Sequence, residues 1–247
     1  MSFKAIIRNI LNTTLRPFGY CLTSRLAVLS WDDSLQRFQR LGFLPNTIID
    51  IGVARGTPDL YRNFHDAYYL LIDPLRESVP YMKSFCDKFV GGGEFHNIAL
   101  GDIETEIDIE VRPDLGGSTL FEEIGSREIL TSYPVSMKRF DTLIGDRQLA
   151  KPCLCKIDVQ GAELKVLKGM GEALNQIDMF IVETSFIQTL KNIPDVYDII
   201  AFFHLKGYVL LDILGIVRRP LDRLACQADL VFIQCDNALR ADKRWEA

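Results

Sequence analysis

The decapeptide TIIDIGVARG at residues 47–56 constrains the fold more than any other stretch of this chain. Its β-branched, apolar first half reads as a strand buried on both faces, the signature of a parallel sheet. An acid, Asp50, closes that strand, and Gly52 and Gly56 follow at a spacing that suits a tight turn into a helix. In open α/β sheets, ligands bind beyond the carboxyl ends of such strands.

The rest of the chain repeats the alternation. Helices are expected at about 57–65, 75–88, 140–148, 162–170 and 195–206. Strands are expected at 67–73 (AYYLLID), 94–100 (EFHNIAL), 105–112, near 135–139, 152–159 (PCLCKIDV) and 179–184 (MFIVET). The last two apolar runs, GYVLLDIL (207–214) and ADLVFIQC (228–235), have no convincing helix between them and should pair antiparallel. The pattern predicts an α/β domain over 46–236 with a mostly parallel sheet and helices on both faces. A helical N-terminal extension, 1–45, precedes it, with a helix capped by Asp32 or Asp33 and stopped at Gly42. A polar tail, 237–247, follows.

The first turn also limits the ligand. Asp73 ends the second strand 23 residues after Asp50, about the spacing at which an acid meets the ribose hydroxyls of a bound adenosine. A glycine turn with a ribose acid also suits a nicotinamide dinucleotide, which leaves an oxidoreductase as an alternative. A carboxylate just ahead of the turn would repel a pyrophosphate, and G-x-x-x-G departs from G-x-G-x-x-G. S-adenosylmethionine carries an ammonium and a sulfonium and no phosphate, so Asp50 suits it, directly or through water. No G-x-x-x-x-G-K-[ST] motif occurs. A third reading is a module of the same fold that binds cofactor or partner without turnover.

Further blocks carry a family resemblance. IIDIGVARG (48–56), LIDP (71–74), NIALGD (97–102), KRFDTLI (138–144), CKIDVQGAELKVLKGM (155–170) and IVET (181–184), taken in order, resemble the motifs of the FkbM-type methyltransferases. The resemblance implies a class I methyltransferase (Rossmann-like) fold, a seven-stranded sheet with an antiparallel C-terminal hairpin. It also implies methyl transfer from S-adenosylmethionine, leaving S-adenosylhomocysteine, to an oxygen of a small molecule or glycan. Asp50, Gly52 and Gly56 would surround the amino-acid end of the cofactor. Asp73, where the family often has Glu, would bind the ribose. Ala99, Leu100 and Asp102 would line the adenine. Asp158 would border the transfer site, and Gln160 stands where many relatives have Glu. Asp158 and Glu183 end adjacent strands and are the candidate bases for a hydroxyl acceptor. Lys156, two residues before Asp158, shares its strand face and either pairs with it or meets solvent. The loop 113–119, PDLGGST, is the expected cover.

Composition bounds the partners. The net charge of −5 offers no general attraction for nucleic acid. Six scattered cysteines do not form a disulfide framework, and Cys153 and Cys155 should share one face of a buried strand, which points to a reducing, cytoplasmic setting. No metal-ligand set is evident, and none is expected. Residues 1–31 hold Lys4, Arg8, Arg16 and Arg25 and no acid, with Phe3, Ile6, Ile7, Ile10 and Leu11 on one helical face. Such a helix docks on its own domain, joins a second copy in a homo-oligomer, or lies on a membrane surface.

Overall fold

The computed structural model describes residues 30–125 and 128–245, with positions 7, 10, 11, 13–15 and 17 of the N-terminal segment. Of the apolar face expected there, Ile7, Ile10 and Leu11 are exposed, while Phe3, Ile6 and the basic residues Lys4, Arg8, Arg16 and Arg25 lie outside the described residues.

Helix α1 (Trp31–Arg40) starts at Ser30, whose hydroxyl accepts from the Asp33 amide at 3.1 Å. The cap is thus Ser30 rather than Asp32 or Asp33, which sit in the first turn and favour the helix dipole. β1 (Thr47–Ile51) follows, then α2 (Pro58–Asn63), β2 (Tyr68–Ile72) and α3 (Val79–Cys86). α3 is preceded by a 3₁₀ turn, Arg76–Ser78. Pro80, which has no amide hydrogen, sits in its first turn, where none is needed. The expected strand at 94–100 divides into β3 (Gly93–His96) and β4 (Ala99–Leu100). Asn97 is the reason: its side-chain amide donates to the carbonyls of Asp73 and Leu75, both at 2.9 Å, and turns the chain out of the main sheet.

β5 (Thr105–Val111) and β6 (Thr131–Lys138) join β4 in a three-stranded sheet of order β4-β6-β5. α4 (Phe140–Ile144) is shorter than its pattern suggested, because the chain turns at Gly145. Then come β7 (Cys153–Ile157), α5 (Glu163–Gly169), β8 (Met179–Ser185), α6 (Val196–Leu205), β9 (Tyr208–Arg218) and β10 (Ala225–Gln234). Asp195 caps α6 in a reciprocal box with Asp198.

The main sheet has the order β3-β2-β1-β7-β8-β10-β9. All its pairs are parallel except those of β10, which lies antiparallel between β8 and β9. This is the class I methyltransferase sheet, and its reversed hairpin separates it from the dinucleotide-binding arrangement. Alternate strand residues feed two cores. Ile49, Cys155 and Phe180 pack with Phe140, Val166 and Phe203 of α4, α5 and α6. Ile48, Leu154 and Ile181 pack with Leu35, Leu60 and Met82 of α1, α2 and α3. Cys153 and Cys155 are fully buried within the first of these cores. The small sheet closes over a third cluster with Leu75, Val111 and Met137, and so stands above the carboxyl edge of the main sheet. Beyond β10, a 3₁₀ turn, Ala238–Arg240, packs Leu239 against the second core. No helix of the described residues is long and apolar enough to cross a membrane.

Candidate active site

A cleft of about 460 Å³ opens at the carboxyl ends of β1, β2 and β7. The glycine turn forms one wall. Gly52 has a φ of +82°, and a Cβ there would lie 1.7 Å from the Asp158 carbonyl, so only glycine fits. Gly56, with a φ of +105°, lets the turn pack against Phe85. Asp73 lines the cleft with its carboxylate accepting from the Ala54 amide at 2.7 Å and the Leu75 amide at 2.8 Å. Burial raises its pKa, opposed by those two amides. Each oxygen retains a lone pair for a further donor. Ala99 and Leu100 form the wall beyond. Asp102 lies outside the cleft lining, with its backbone carbonyl taken by Arg139 at 2.9 Å.

Asp50 is fully buried beneath the turn and does not line the cleft. Its Oδ2 accepts from Thr57 at 2.9 Å and from the Tyr61 hydroxyl at 2.5 Å. Its Oδ1 accepts no directed hydrogen bond and faces the Lys156 ammonium 3.2 Å away. Lys156, itself buried, also donates to the Gly52 carbonyl at 2.6 Å and stands 3.6 Å from Asp158. Burial alone would lower the Lys156 pKa, but Asp50 and Asp158 outweigh it and hold it raised. The charge of Asp50 is therefore met from within the protein, and the pair braces the glycine turn from below.

The acids that do face the cleft are further along. Asp158 and Glu183 are brought together by Gln160, whose side-chain amide donates to Asp158 at 2.9 Å and to Glu183 at 2.8 Å. Gln227 donates to the same Glu183 oxygen at 2.9 Å. Asp229 lies opposite Glu183 on the neighbouring strand and accepts from the Trp31 indole at 2.9 Å. Burial, then the nearby Asp158, raises the Glu183 carboxyl well above its ordinary range. Burial also raises Asp229, which the indole bond partly offsets. Glu163 opens α5 and is pushed up to about 7 by burial, although the amides of Val159 and Gly161 bind its carboxylate. It supports the turn after β7 and does not line the cleft.

The cover comes from the small sheet and the loop after β5. Leu115, Gly116, Ser118 and Thr119 line the cleft, and Arg55 of the glycine turn donates to the Pro113 carbonyl at 3.2 Å. Arg112 anchors the base of this cover through Glu110 at 3.0 Å and Glu123 at 3.1 Å. His65 and His204 are exposed, and His96 is half-buried at the end of β3. Among the described residues, no group of three or more His, Cys, Asp and Glu side chains is arranged to hold a metal ion.

The sequence reading missed Trp31, Gln227 and Asp229, and left Lys156 open. Asp229 and Lys156 did carry a signal, each being a lone charge in an otherwise apolar buried strand, ADLVFIQ and CLCKI. Trp31 carried none, since its place depends on how α1 meets the sheet.

The family model for the Methyltransferase FkbM domain matches residues 50–210, which takes in the glycine turn, Asp73, Gln160 and Glu183. The chain belongs to the FkbM methyltransferase family. The hexuronic acid methyltransferase AglP of Haloferax volcanii is 38% identical over 61 residues, which is 24% of this chain and 26% of that one. This chain thus matches about a quarter of the length of that curated relative. Magnesium protoporphyrin IX methyltransferase of Synechocystis, solved with bound SAM, aligns over 95% of this chain and 98% of its own at 13% identity, with a TM-score of 0.45. The human methyltransferase 10 domain containing protein aligns over 96% of this chain and 100% of its own at 13% identity, with a TM-score of 0.42.

Proposed function

We propose that this FkbM-family cleft binds S-adenosylmethionine and directs its methyl group to an oxygen of a small molecule or glycan, releasing S-adenosylhomocysteine. The observation that carries the reading is the charge of the cleft. Among the described residues, Asp59, Asp114, Asp158 and three acids whose pKa burial raises, Asp73, Glu183 and Asp229, line it against Arg55 and Lys156. A dinucleotide pyrophosphate brought into that wall is repelled, whereas a ligand with an ammonium and a sulfonium is attracted. The nicotinamide reading loses on this ground.

The residues present fit such a cofactor. The Gly52–Gly56 turn offers close backbone approach to its amino-acid end, Asp73 has acceptor capacity for ribose hydroxyls, and Ala99 and Leu100 give an apolar wall for the adenine. Asp102, outside that wall, keeps its adenine role on family resemblance alone. Asp50 acts from beneath, through the turn. S-adenosylmethionine, when bound, supplies a methyl group made electrophilic by its sulfonium. The chain's part is to orient the acceptor, to close the small sheet over it and to take up its proton. Asp158 and Glu183 are placed for that last task at the strand edge. A sugar-derived acceptor is supported by the local likeness to a hexuronic acid methyltransferase. Nucleic acid is disfavoured by the net charge of −5. The reading needs no metal, and the free, buried thiols of Cys153 and Cys155 favour a reducing, cytoplasmic setting. The N-terminal segment remains a candidate for contact with a membrane surface or a second copy.

Calorimetric titration with S-adenosylmethionine, S-adenosylhomocysteine and NAD tests the reading. Saturable binding of both adenosyl compounds and none of NAD is expected. Failure of both adenosyl compounds to bind overturns it.

A further inference from the structure

Gln160 holds a backbone conformation that its residue type seldom adopts. Its φ is +50°, in the left-handed region, and Gly161 follows at +103°. Glycine would occupy position 160 without strain, yet a long amide side chain stands there. That amide reaches across the strand edge and spends its donors on two carboxylates, Asp158 at 2.9 Å and Glu183 at 2.8 Å. The backbone carbonyl of the same residue accepts from the Thr119 hydroxyl of the cover at 2.7 Å, and that hydroxyl oxygen accepts from the Phe121 amide at 3.1 Å. One residue thus joins the two candidate bases to each other and to the loop that closes over them.

We propose that Gln160 is the positioning residue of the transfer site, bridging Asp158 and Glu183 into one proton-accepting pair and fixing that pair to the closed cover through Thr119. The assignment rests on the methyl-transfer reading, since the proton it manages is that of a hydroxyl acceptor. In a balanced step the acceptor oxygen forms its bond to the methyl carbon, the carbon–sulfur bond breaks, and the hydroxyl proton passes to the carboxylate pair. The donors of Gln160 stabilise the ionised carboxylates and keep the pair able to receive that proton. Glu183 otherwise faces acids from three elements, Asp158 beyond β7, Glu163 at the start of α5 and Asp229 on β10. Among the described residues, the Lys156 ammonium and the Gln227 amide oppose them.

The test uses the full chain with ¹³C-labelled side-chain carboxyls, titrated by NMR without cofactor or acceptor. Glu183→Gln and Asp158→Asn assign the signals. In Gln160→Met, which keeps length and backbone preference but has no donors, the Glu183 transition should move up by about one pH unit or more. Gln160→Glu, which adds an acid, should move it at least as far. A transition unchanged within about 0.3 units in both variants overturns the proposal, with circular dichroism confirming that both remain folded. Because this readout needs no ligand, it separates failure of the bridge from failure of the methyl-transfer reading, which the calorimetric titration decides.

Discussion

Lys156→Met offers the sharpest test of how the site is held together. At 3.2 Å from Asp50, the ammonium attracts that carboxylate by about 5 kcal/mol at an effective dielectric of 20, and desolvation of both groups offsets much of this. Removing Lys156 relieves its own desolvation but not that of Asp50, which stays fully buried with one oxygen that has no other cation. The Gly52 carbonyl loses its donor as well. Breaking a buried pair in this way costs about 3–5 kcal/mol. A domain holds only about 5–15 kcal/mol in all, so the loss should be plain in a urea transition. The double variant Asp50→Asn with Lys156→Met removes both charges of the pair and should be less destabilised than the sum of the two single changes. A Lys156→Met cost below about 1 kcal/mol, or a coupling within about 0.5 kcal/mol of zero, would refute the claim that this pair braces the turn.

Three further outcomes follow from the same geometry. Gly52→Ala drives a Cβ to 1.7 Å from the Asp158 carbonyl at a φ of +82°. It should lose more than about 2 kcal/mol by thermal melting, together with adenosyl binding. A Gly52→Ala protein with wild-type melting would show that the turn yields freely. Glu163, buried and pushed to about 7, has a folded pKa above its ordinary 4.5, so its contribution is lost as pH rises from about 4.5 to 7. The loss is at most about 3.5 kcal/mol, and Glu163→Gln should flatten the urea midpoint between pH 5 and pH 8. Of the two tryptophans, Trp31 lines the cleft and Trp245 is 96% exposed, so adenosyl or acceptor binding should change emission in the wild type and in Trp245→Phe but not in Trp31→Phe.

The main sheet was legible in the sequence because its strands are apolar on both faces, and runs such as TIIDI, YYLLI and CLCKI have no competing helical period. The elements misread are those governed by single side chains acting at a distance. Asn97 cannot be seen from EFHNIAL to bind two carbonyls near Asp73 and so to split the strand. Ser30 took the cap from two acids that sit just inside the helix. β9 runs four residues beyond GYVLLDIL, to Arg218, because Ala225–Gln227 extend its partner, and a pairing of that kind is a property of the hairpin rather than of either run.

The site divides along the same line. Asp73, Asp158 and Glu183 line the cleft because strand-end acids follow from topology, and topology was readable. The electrostatic reasoning attached to Asp50 asked for a cation near that carboxylate. A carboxylate at that position does demand a positive partner, and the fold supplies one two strand residues before Asp158, in Lys156. Under the proposed function, attraction for a cationic cofactor rests on the acids that face the cleft. Of these, Asp229 and Glu183 are opposite one another across β10 and β8. That juxtaposition exists only because the final hairpin reverses and inserts its last strand beside β8. The reversed strand thus does more than complete the sheet: it brings a third carboxyl to the cleft beside Asp158 and Glu183, with Gln227 next to it to bind Glu183. A parallel strand in the same place would run in the opposite sense, and its carboxyl end, not Asp229 and Gln227 near the start of β10, would lie at the ligand-bearing edge.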